Sequence, residues 1–268
     1  MHIEPPLQGL TLVVTRPPAQ AAHTATVLRD AGAEVIEFPV LDITPIEVSL
    51  ASRELASASD LIFVSANAVT YGVPVLQRAG GISATTQLFA IGRATAAALA
   101  DAGFKDVVSP QQSVDSEGLL ALPQLRAVEG RHIILVKGQS DLGGRRLLEQ
   151  ALAARGARVT MLDCYRRAPL VPDLAAREMF RRSLASGNVH ACFALSVETL
   201  DSLIDIFSSM DILPQSRMVL LIPNARVGDA ARGRGFDNIA EVPLAESALI
   251  AALTNLKPQL LMRTPVSL

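Results

Sequence analysis

The sequence predicts an α/β protein of two similar lobes, each a parallel sheet flanked by helices, joined by a two-stranded linker. Three observations predict it: aliphatic runs alternate with helical segments, the strand–helix units recur in one order, and two proline-marked extended segments separate them. Strands that alternate with helices favour parallel sheets with right-handed crossovers. At 268 residues the chain is long enough for two domains, each with its own core.

The predicted strands are short, unbroken runs of aliphatic residues, which is typical of strands buried on both faces. In chain order they lie at 10–15, 34–38, 61–65, 88–91, 106–108, 133–137, 159–162, 192–195, 218–222 and 239–242. A helix is predicted at 19–31, and Gly32 stands where glycine commonly ends a helix. Mean hydropathy is +0.34, but every long apolar run breaks before the roughly 20 residues of a membrane-spanning helix. The hydropathy therefore indicates buried strands.

Three units of sequence occur twice in the same order. TLVVTRPPAQAAHTATVLRDAGAEVIEF resembles HIILVKGQSDLGGRRLLEQALAARGARVTML, DLIFVSANAV resembles ACFALSVETL, and LFAIGRATAAALADAGFKDVV resembles VLLIPNARVGDAARGRGFDNIAEV. Duplication into two similar lobes is the simplest account. The alternative is that all β-α-β units look alike, but the preserved order of three units argues against it.

The extended segments PVLDITP and CYRRAPLVP predict linker strands at 39–46 and 163–172, because proline resists helix and favours extended neighbours. One strand–helix–strand unit precedes the first linker, which is too little chain for a lobe. We therefore expect that unit to complete the lobe built by the C-terminal half. Lobe 1 is predicted at 1–38 plus 173–257, lobe 2 at 47–162, and a C-terminal tail at 258–268.

Composition and motifs exclude several classes of protein. A net charge of −2 lacks the basic excess of a nucleic-acid binder. The four histidines and two cysteines show no metal-ligand spacing, so no metal is expected. A P-loop, a GxGxxG after a strand and a GxSxG elbow are all missing from the sequence. The start MHIEPPLQG does not resemble a secretory signal, so we expect a cytoplasmic protein with no membrane partner.

Small, polar or cationic residues follow the predicted strands, where ligands of open parallel sheets bind. They are Arg16, Ser65 to Asn67, Gly92 with Arg93, Lys137 with Gly138, Ser196, and Pro223 with Asn224. Such groups at helix N-termini suit an anion, although capping a helix equally explains Ser65 and Ser196. Tyr165 lies in the second linker, where we expect it to face the gap between the lobes. Its hydroxyl could donate a proton or hydrogen bond, or its ring could simply pack at a hinge.

An ordered set of segments over residues 7–256 resembles the uroporphyrinogen-III synthase family. The segments are LVVTRPPAQA, LRDAGAEVIEFPVLDITP, DLIFVSANAV, FAIGRATAAALADAGF, SEGLLALPQL, GRHIILVKG, GGRRLLEQALAARGARVTMLDCYRR, FALSVETL and IPNARVGDAARGRGF. The resemblance implies two α/β lobes on a two-stranded linker. It also implies an enzyme that closes hydroxymethylbilane, a linear tetrapyrrole polycarboxylate, to uroporphyrinogen III with inversion of ring D and loss of water, without cofactor or metal.

By the same resemblance Tyr165 matches the family's linker tyrosine and would assist departure of the substrate hydroxyl. Substrate-binding groups are expected at Arg16, Ser65, Asn67, Thr95, Lys137, Gly138, Ser196 and Arg226. Some members carry a threonine where this chain reads IPNARVG, which makes Arg226 a candidate carboxylate clamp. A monomer that receives its substrate transiently from hydroxymethylbilane synthase is expected. The alternatives are a non-catalytic two-lobe anion-binding protein or regulator, and a different α/β transferase whose phosphate motifs are missing.

Overall fold

The computed structural model describes residues 4–111, 115–140, 146–212 and 218–262. The chain divides into two compact units, Met1–Asp42 with Pro169–Leu268, and Ile43–Ala168. Each unit contains a five-stranded sheet with hydrophobic clusters on both faces. The predicted α/β class is confirmed.

The described helices and strands alternate along nearly the whole chain. In chain order they are β1 Thr11–Val14, α1 Pro18–Asp30, β2 Glu34–Glu37, β3 Leu41–Pro45, α2 Ser52–Ala56, β4 Asp60–Phe63, α3 Ala66–Arg78, β5 Gln87–Ala90, α4 Arg93–Asp101, α5 Ser116–Ala121, β6 His132–Ser140, α6 Leu147–Ala154, β7 Arg158–Pro169, α7 Leu174–Ala185, β8 Ala191–Phe193, α8 Val197–Ser209, β9 Val219–Ile222, α9 Ala225–Arg232, β10 Ile239–Glu241 and α10 Glu246–Leu261. A short 3-10 turn covers Pro123–Leu125.

The first unit has the strand order β10-β9-β8-β1-β2, and its neighbouring strands are all parallel. Alternate residues of each strand enter opposite clusters, as the pleat requires. Val13 and Cys192 pack on one face, whereas Val14 and Phe193 pack on the other. Burial on both faces explains why these strands read as continuous aliphatic runs.

The second unit has the order β3-β7-β6-β4-β5, in which β7, β6, β4 and β5 are parallel. Phe63 and Val136 pack on one face, and Ile62 and Leu135 on the other. When the sequence repeats are aligned, β2-β1-β8-β9 corresponds to β7-β6-β4-β5. The repeats therefore fold with the same strand order.

The predicted strand at 106–108 is wrong. The structure has only an isolated parallel bridge between Phe89 and Val108 at this place, which corresponds to β10 in the other unit. Asp106 has a φ of 57°, in the left-handed region that an extended strand cannot use. The strand therefore cannot begin before Val107.

The two proline-marked segments contribute the neighbouring strands β3 and β7, and the unit boundaries fall inside both. The Ile46 N–H donates to the Cys164 carbonyl (3.1 Å), and the Leu170 N–H donates to the Val40 carbonyl (2.9 Å). The second segment is not a separate strand, because β7 runs from Arg158 to Pro169 and pairs with β6 as far as Arg167.

Helix α10 continues through Pro258 to Leu261, so the segment expected to start a tail at 258 is helical there. Burial of Leu260 in the same cluster as Leu249 and Leu253 holds this last turn against the core. Residues 263–268 lie outside the described part of the chain. Among the described residues, no helix is both long and apolar enough to cross a membrane.

Candidate active site

The carboxyl ends of β4, β5, β6 and β7 share one edge of the second unit's sheet because these strands are parallel. Six of the predicted site residues lie at this edge. Ser65 is the N-cap of α3 and Asn67 is in its first turn, Thr95 is in the first turn of α4, Lys137 and Gly138 are in β6, and Tyr165 is in β7.

Ser65 makes two contacts at the start of α3. Its Oγ accepts a hydrogen bond from the Ala68 N–H (2.9 Å), so it caps the helix. The same Oγ lies 3.0 Å from the Tyr165 hydroxyl, and either group can donate. Capping and a place in the site, which the sequence offered as alternatives, are therefore both properties of this residue.

The expectation that Tyr165 faces the gap between the lobes stays a prediction. Within the second unit Tyr165 is an interior residue with 2 % of its surface exposed. The reason is a bulge: Lys137 pairs with Asp163 but Gly138 pairs with Tyr165, which leaves Cys164 as an extra residue. The bulge shifts the inward–outward alternation of β7, so that Cys164 and Tyr165 are both buried.

The Tyr165 ring is held between β6 and α3. A Cβ atom on Gly138 would lie 2.3 Å from Tyr165 Cε2 and 2.4 Å from Cζ, so only glycine leaves room for the ring there. On α3 the Tyr71 ring packs against it with centroids 5.6 Å apart and planes inclined by 34°. In this structure the role of Gly138 is to admit the ring; its expected contact with substrate stays a prediction.

Lys137 has an acidic neighbour on β7. Its Nζ lies 3.6 Å from Asp163 Oδ1, and both side chains are about three-quarters buried. A substrate carboxylate at Lys137 would therefore share the ammonium with Asp163. The nearby Cys164 thiol donates to the Lys137 carbonyl (3.3 Å), and burial raises the pKa of Cys164 to about 12. The thiol is neutral near pH 7 and is no nucleophile there.

In the first unit, Arg16 follows β1 and its Nη1 donates to Thr24 Oγ1 (2.9 Å). Burial lowers the pKa of the guanidinium, which still stays charged at neutral pH. Within the described ranges the structure gives Arg16 no carboxylate partner. A half-buried cation of this kind is suited to an anionic ligand.

The other two predicted residues of the first unit begin helices. Ser196 caps α8 by accepting from the Thr199 N–H (3.1 Å), and its hydroxyl also lies 2.9 Å from Thr199 Oγ1. Arg226 is exposed in the first turn of α9, whose cap is Asn224. In the matching unit Thr95 is buried, with 3 % exposure. The two copies thus present different side chains at equivalent places.

Sequence reasoning did not single out Tyr71, Asp163 or Thr24 as part of the site. Tyr71 is the only other tyrosine in the chain, and that scarcity was an available signal. Asp163 follows the predicted strand at 159–162, and only the register of β6 and β7 in the structure pairs it with Lys137. Among the described residues no group of three or more His, Cys, Asp or Glu side chains is placed to hold a metal ion; the expectation of a metal-free protein stays a prediction.

The fold and the site define a class of protein: paired α/β units whose sheet edges carry hydroxyl and cationic groups suited to an anionic ligand. The family model described as "Uroporphyrinogen-III synthase HemD" matches residues 22–250. The chain belongs to the uroporphyrinogen-III synthase family, as the ordered segments predicted.

Individual relatives agree with the family model. Uroporphyrinogen-III synthase of Escherichia coli (strain K12) is 31 % identical over 250 residues, which cover 91 % of this chain and 100 % of that protein. The enzyme of the same name from Salmonella typhimurium (strain LT2) is 30 % identical over the same shares. A crystal structure of a mutant uroporphyrinogen III synthase from the extremely thermophilic bacterium Thermus thermophilus superposes with a TM-score of 0.63 at 22 % identity, covering 95 % of this chain and 100 % of that one. The last comparison supports the fold.

Proposed function

We propose that the chain catalyses the closure of hydroxymethylbilane to uroporphyrinogen III, with inversion of ring D and loss of water. The observation that carries this proposal is the full-length match to the Escherichia coli enzyme, together with a family model that covers residues 22–250. Both favour an enzyme over the alternative of a non-catalytic anion-binding protein or regulator.

In this reaction the main task of the protein is to control the conformation of the bilane. Loss of the substrate hydroxyl creates an electrophilic azafulvene-like carbon, which is attacked at the substituted position of ring D. The spiro compound that results fragments and closes again as the type III isomer, whereas the free bilane closes to type I. A preference of about 1.4 kcal/mol changes the isomer ratio about tenfold, so several modest contacts that hold the folded bilane are sufficient.

Groups at the two sheet edges match this task. Arg16 is half-buried and donates only to Thr24 among the described contacts, and Arg226 is exposed at the start of α9. We assign both cations to substrate carboxylates. Lys137 binds a carboxylate in exchange for part of its contact with Asp163. Helix N-termini at Ser65 and Ser196 add N–H groups that favour negative charge.

Tyr165 is assigned to the departure of the hydroxyl. A phenol is a donor at neutral pH, and this one is held in a single orientation by Gly138, Tyr71 and Ser65. Orientation of this kind favours proton donation to a leaving group, because proton transfer needs a fixed short distance.

The product assay tests the proposal directly. Freshly made hydroxymethylbilane is incubated with the protein, the products are oxidised, and the porphyrin isomers are separated by chromatography. We expect type III isomer, formed faster than the spontaneous closure. Type I alone, at the spontaneous rate, would rule the activity out.

Location and partners complete the proposal. We infer a cytoplasmic monomer that receives its unstable bilane from hydroxymethylbilane synthase by transient contact. Sedimentation of the protein alone and with that synthase tests both points; a stable dimer or a permanent complex contradicts them.

A further inference from the structure

We propose that Ser65 delivers the proton to the departing hydroxyl of the substrate and that the buried Tyr165 resupplies it. This proton relay rests on the proposed function and deepens it, since it separates the group that meets the substrate from the group that supplies the acid. It is carried by the contacts, burial and charge around one pair of hydroxyls 3.0 Å apart.

The first argument is the number of hydrogen bonds at Ser65. A serine hydroxyl has two acceptor positions and one proton to donate. One acceptor position is taken by the Ala68 N–H. When the Tyr165 hydroxyl donates into the other, the Ser65 proton is left to donate to a third group. With both acceptor positions filled, the Ser65 hydroxyl is available as a hydrogen-bond donor to a substrate group.

The second argument is burial. Tyr165 is 2 % exposed and is fixed in place by Gly138 and Tyr71, so its hydroxyl does not meet a ligand directly in this arrangement. Ser65 is only half-buried. Of the two bonded hydroxyls, Ser65 is the one open to a ligand at the sheet edge.

The third argument is electrostatic. Helix α3 has thirteen residues, Ala66–Arg78, and the peptide dipoles of a helix favour negative charge at its N-terminus. Proton delivery through Ser65 leaves negative charge on the Tyr165 oxygen, beside that N-terminus. The helix therefore stabilises the state that the relay creates.

An internal comparison separates the relay from simple capping. Ser196 caps α8 in the repeated unit, but its hydroxyl makes its second contact with Thr199 in the same helix. Capping of a helix by a serine therefore does not require a contact with a tyrosine. The contact between Ser65 and Tyr165 is additional to the cap and joins α3 to β7.

The proton that Tyr165 supplies is recovered within one turnover. The C–O bond of the hydroxymethyl group breaks as the pyrrole nitrogen supplies electrons, and the leaving oxygen takes the Ser65 proton to become water. Ser65 takes the proton of Tyr165, which becomes a phenolate. The first attack, at the substituted carbon of ring D, gives the spiro compound without loss of a carbon-bound proton. After fragmentation, the unsubstituted α-carbon of ring D closes the macrocycle and loses its proton, which returns through Ser65 to the phenolate.

The kinetic test compares variants of both hydroxyls in the full-length chain. Ser65→Ala and Tyr165→Phe are each expected to lower kcat for type III product about a hundredfold with little change in KM. Ser65→Thr, which keeps a hydroxyl, restores kcat to within a few fold. Because both residues act in one proton path, the double variant is expected to be no slower than the slower single variant.

A control variant matches the loss of the helix cap at Ser65. Asp173→Ala removes the cap of α7, whose Oδ1 accepts from the Ala176 N–H (2.7 Å), so it reports the effect of losing a cap elsewhere. This variant is expected to keep kcat. Ser65→Gly serves as a second hydroxyl deletion, because glycine is tolerated at an N-cap.

A spectroscopic readout tests the pair without activity. The chain has two tyrosines and no tryptophan, so in a Tyr71→Phe background the phenolate absorbance belongs to Tyr165 alone. Adding Ser65→Ala is expected to move phenolate formation to higher pH, because the phenolate loses its donor; an unchanged titration contradicts the contact.

The outcomes separate the relay from the proposed function. Type III product from the wild type with an undiminished kcat in Ser65→Ala and Ser65→Gly overturns the relay and leaves the function intact. A slow Ser65→Ala with a normal Tyr165→Phe also overturns it, as does a multiplicative loss in the double variant. Type I alone from the wild type overturns the function.

Discussion

Replacing Gly138 by alanine is expected to displace the Tyr165 ring and to lower both stability and kcat. The new Cβ would lie 2.3 Å from Tyr165 Cε2, whereas carbon atoms in contact sit about 3.5–4.0 Å apart. The ring must therefore move by more than about 1 Å. A shift of that size takes the Tyr165 hydroxyl, now 3.0 Å from Ser65 Oγ, out of hydrogen-bonding range.

The stability cost follows from overpacking, which destabilises a filled core by about 1–3 kcal/mol. Denaturant unfolding measures it, with Gly233→Ala as the control, because a Cβ there meets its nearest atom at an ordinary 3.5 Å. The same preparations give kcat for type III product. In a Tyr165→Ala background, which removes the ring, Gly138→Ala should cost clearly less.

Two results would refute this reasoning. One is a Gly138→Ala variant as stable as the wild type. The other is an equal cost of Gly138→Ala with and without the Tyr165 ring, since coupled residues in contact depart from additivity by about 0.5–3 kcal/mol.

The remaining predictions concern charge and pH. Lys137→Ala should raise KM mainly at low salt, because screening weakens an ionic contact. A rise in KM that does not depend on salt would indicate structural damage. Asp163→Asn tests the contribution of the carboxylate that pairs with Lys137. Arg16→Gln should raise KM about tenfold, since a charge-assisted hydrogen bond contributes about 1.5–3 kcal/mol; an unchanged KM would remove Arg16 from the site. Burial, followed by repulsion from a nearby guanidinium, lowers the pKa of His132, and burial lowers that of His190. The unfolded chain therefore binds more protons below about pH 6.5, and stability should fall as pH drops through that region; His132→Gln should flatten the melting-temperature profile, and an unaltered profile would contradict the assignment.

Much of the fold could be predicted from the sequence, because these features show themselves in short stretches of neighbouring residues. Strand β9, for example, is an unbroken aliphatic run because both faces of its sheet are covered. The duplicated units predicted one architecture used twice, and the four repeated strands have the same order in both sheets. Ser65 and Ser196 were placed correctly at helix starts, because a capping hydroxyl is a sequence-local signal.

The features that were missed depend on contacts between distant parts of the chain. The bulge at Cys164 is set by register against β6, which no local pattern around Cys164 reveals, and the burial of Tyr165 follows from it. The helical turn after Pro258 is held by Leu260 in a core cluster. At the site, the residue types were anticipated, but the pairing of Lys137 with Asp163 required the observed register.

The central claim is that this chain holds a flexible bilane so that ring D is inverted before the macrocycle closes. The most direct measurement is the initial rate of type III formation from fresh hydroxymethylbilane at increasing protein concentration, with Tyr165→Phe in parallel. We expect the type III rate to rise in proportion to wild-type protein and far more slowly with the variant. An isomer composition that stays entirely type I at every protein concentration would contradict the claim.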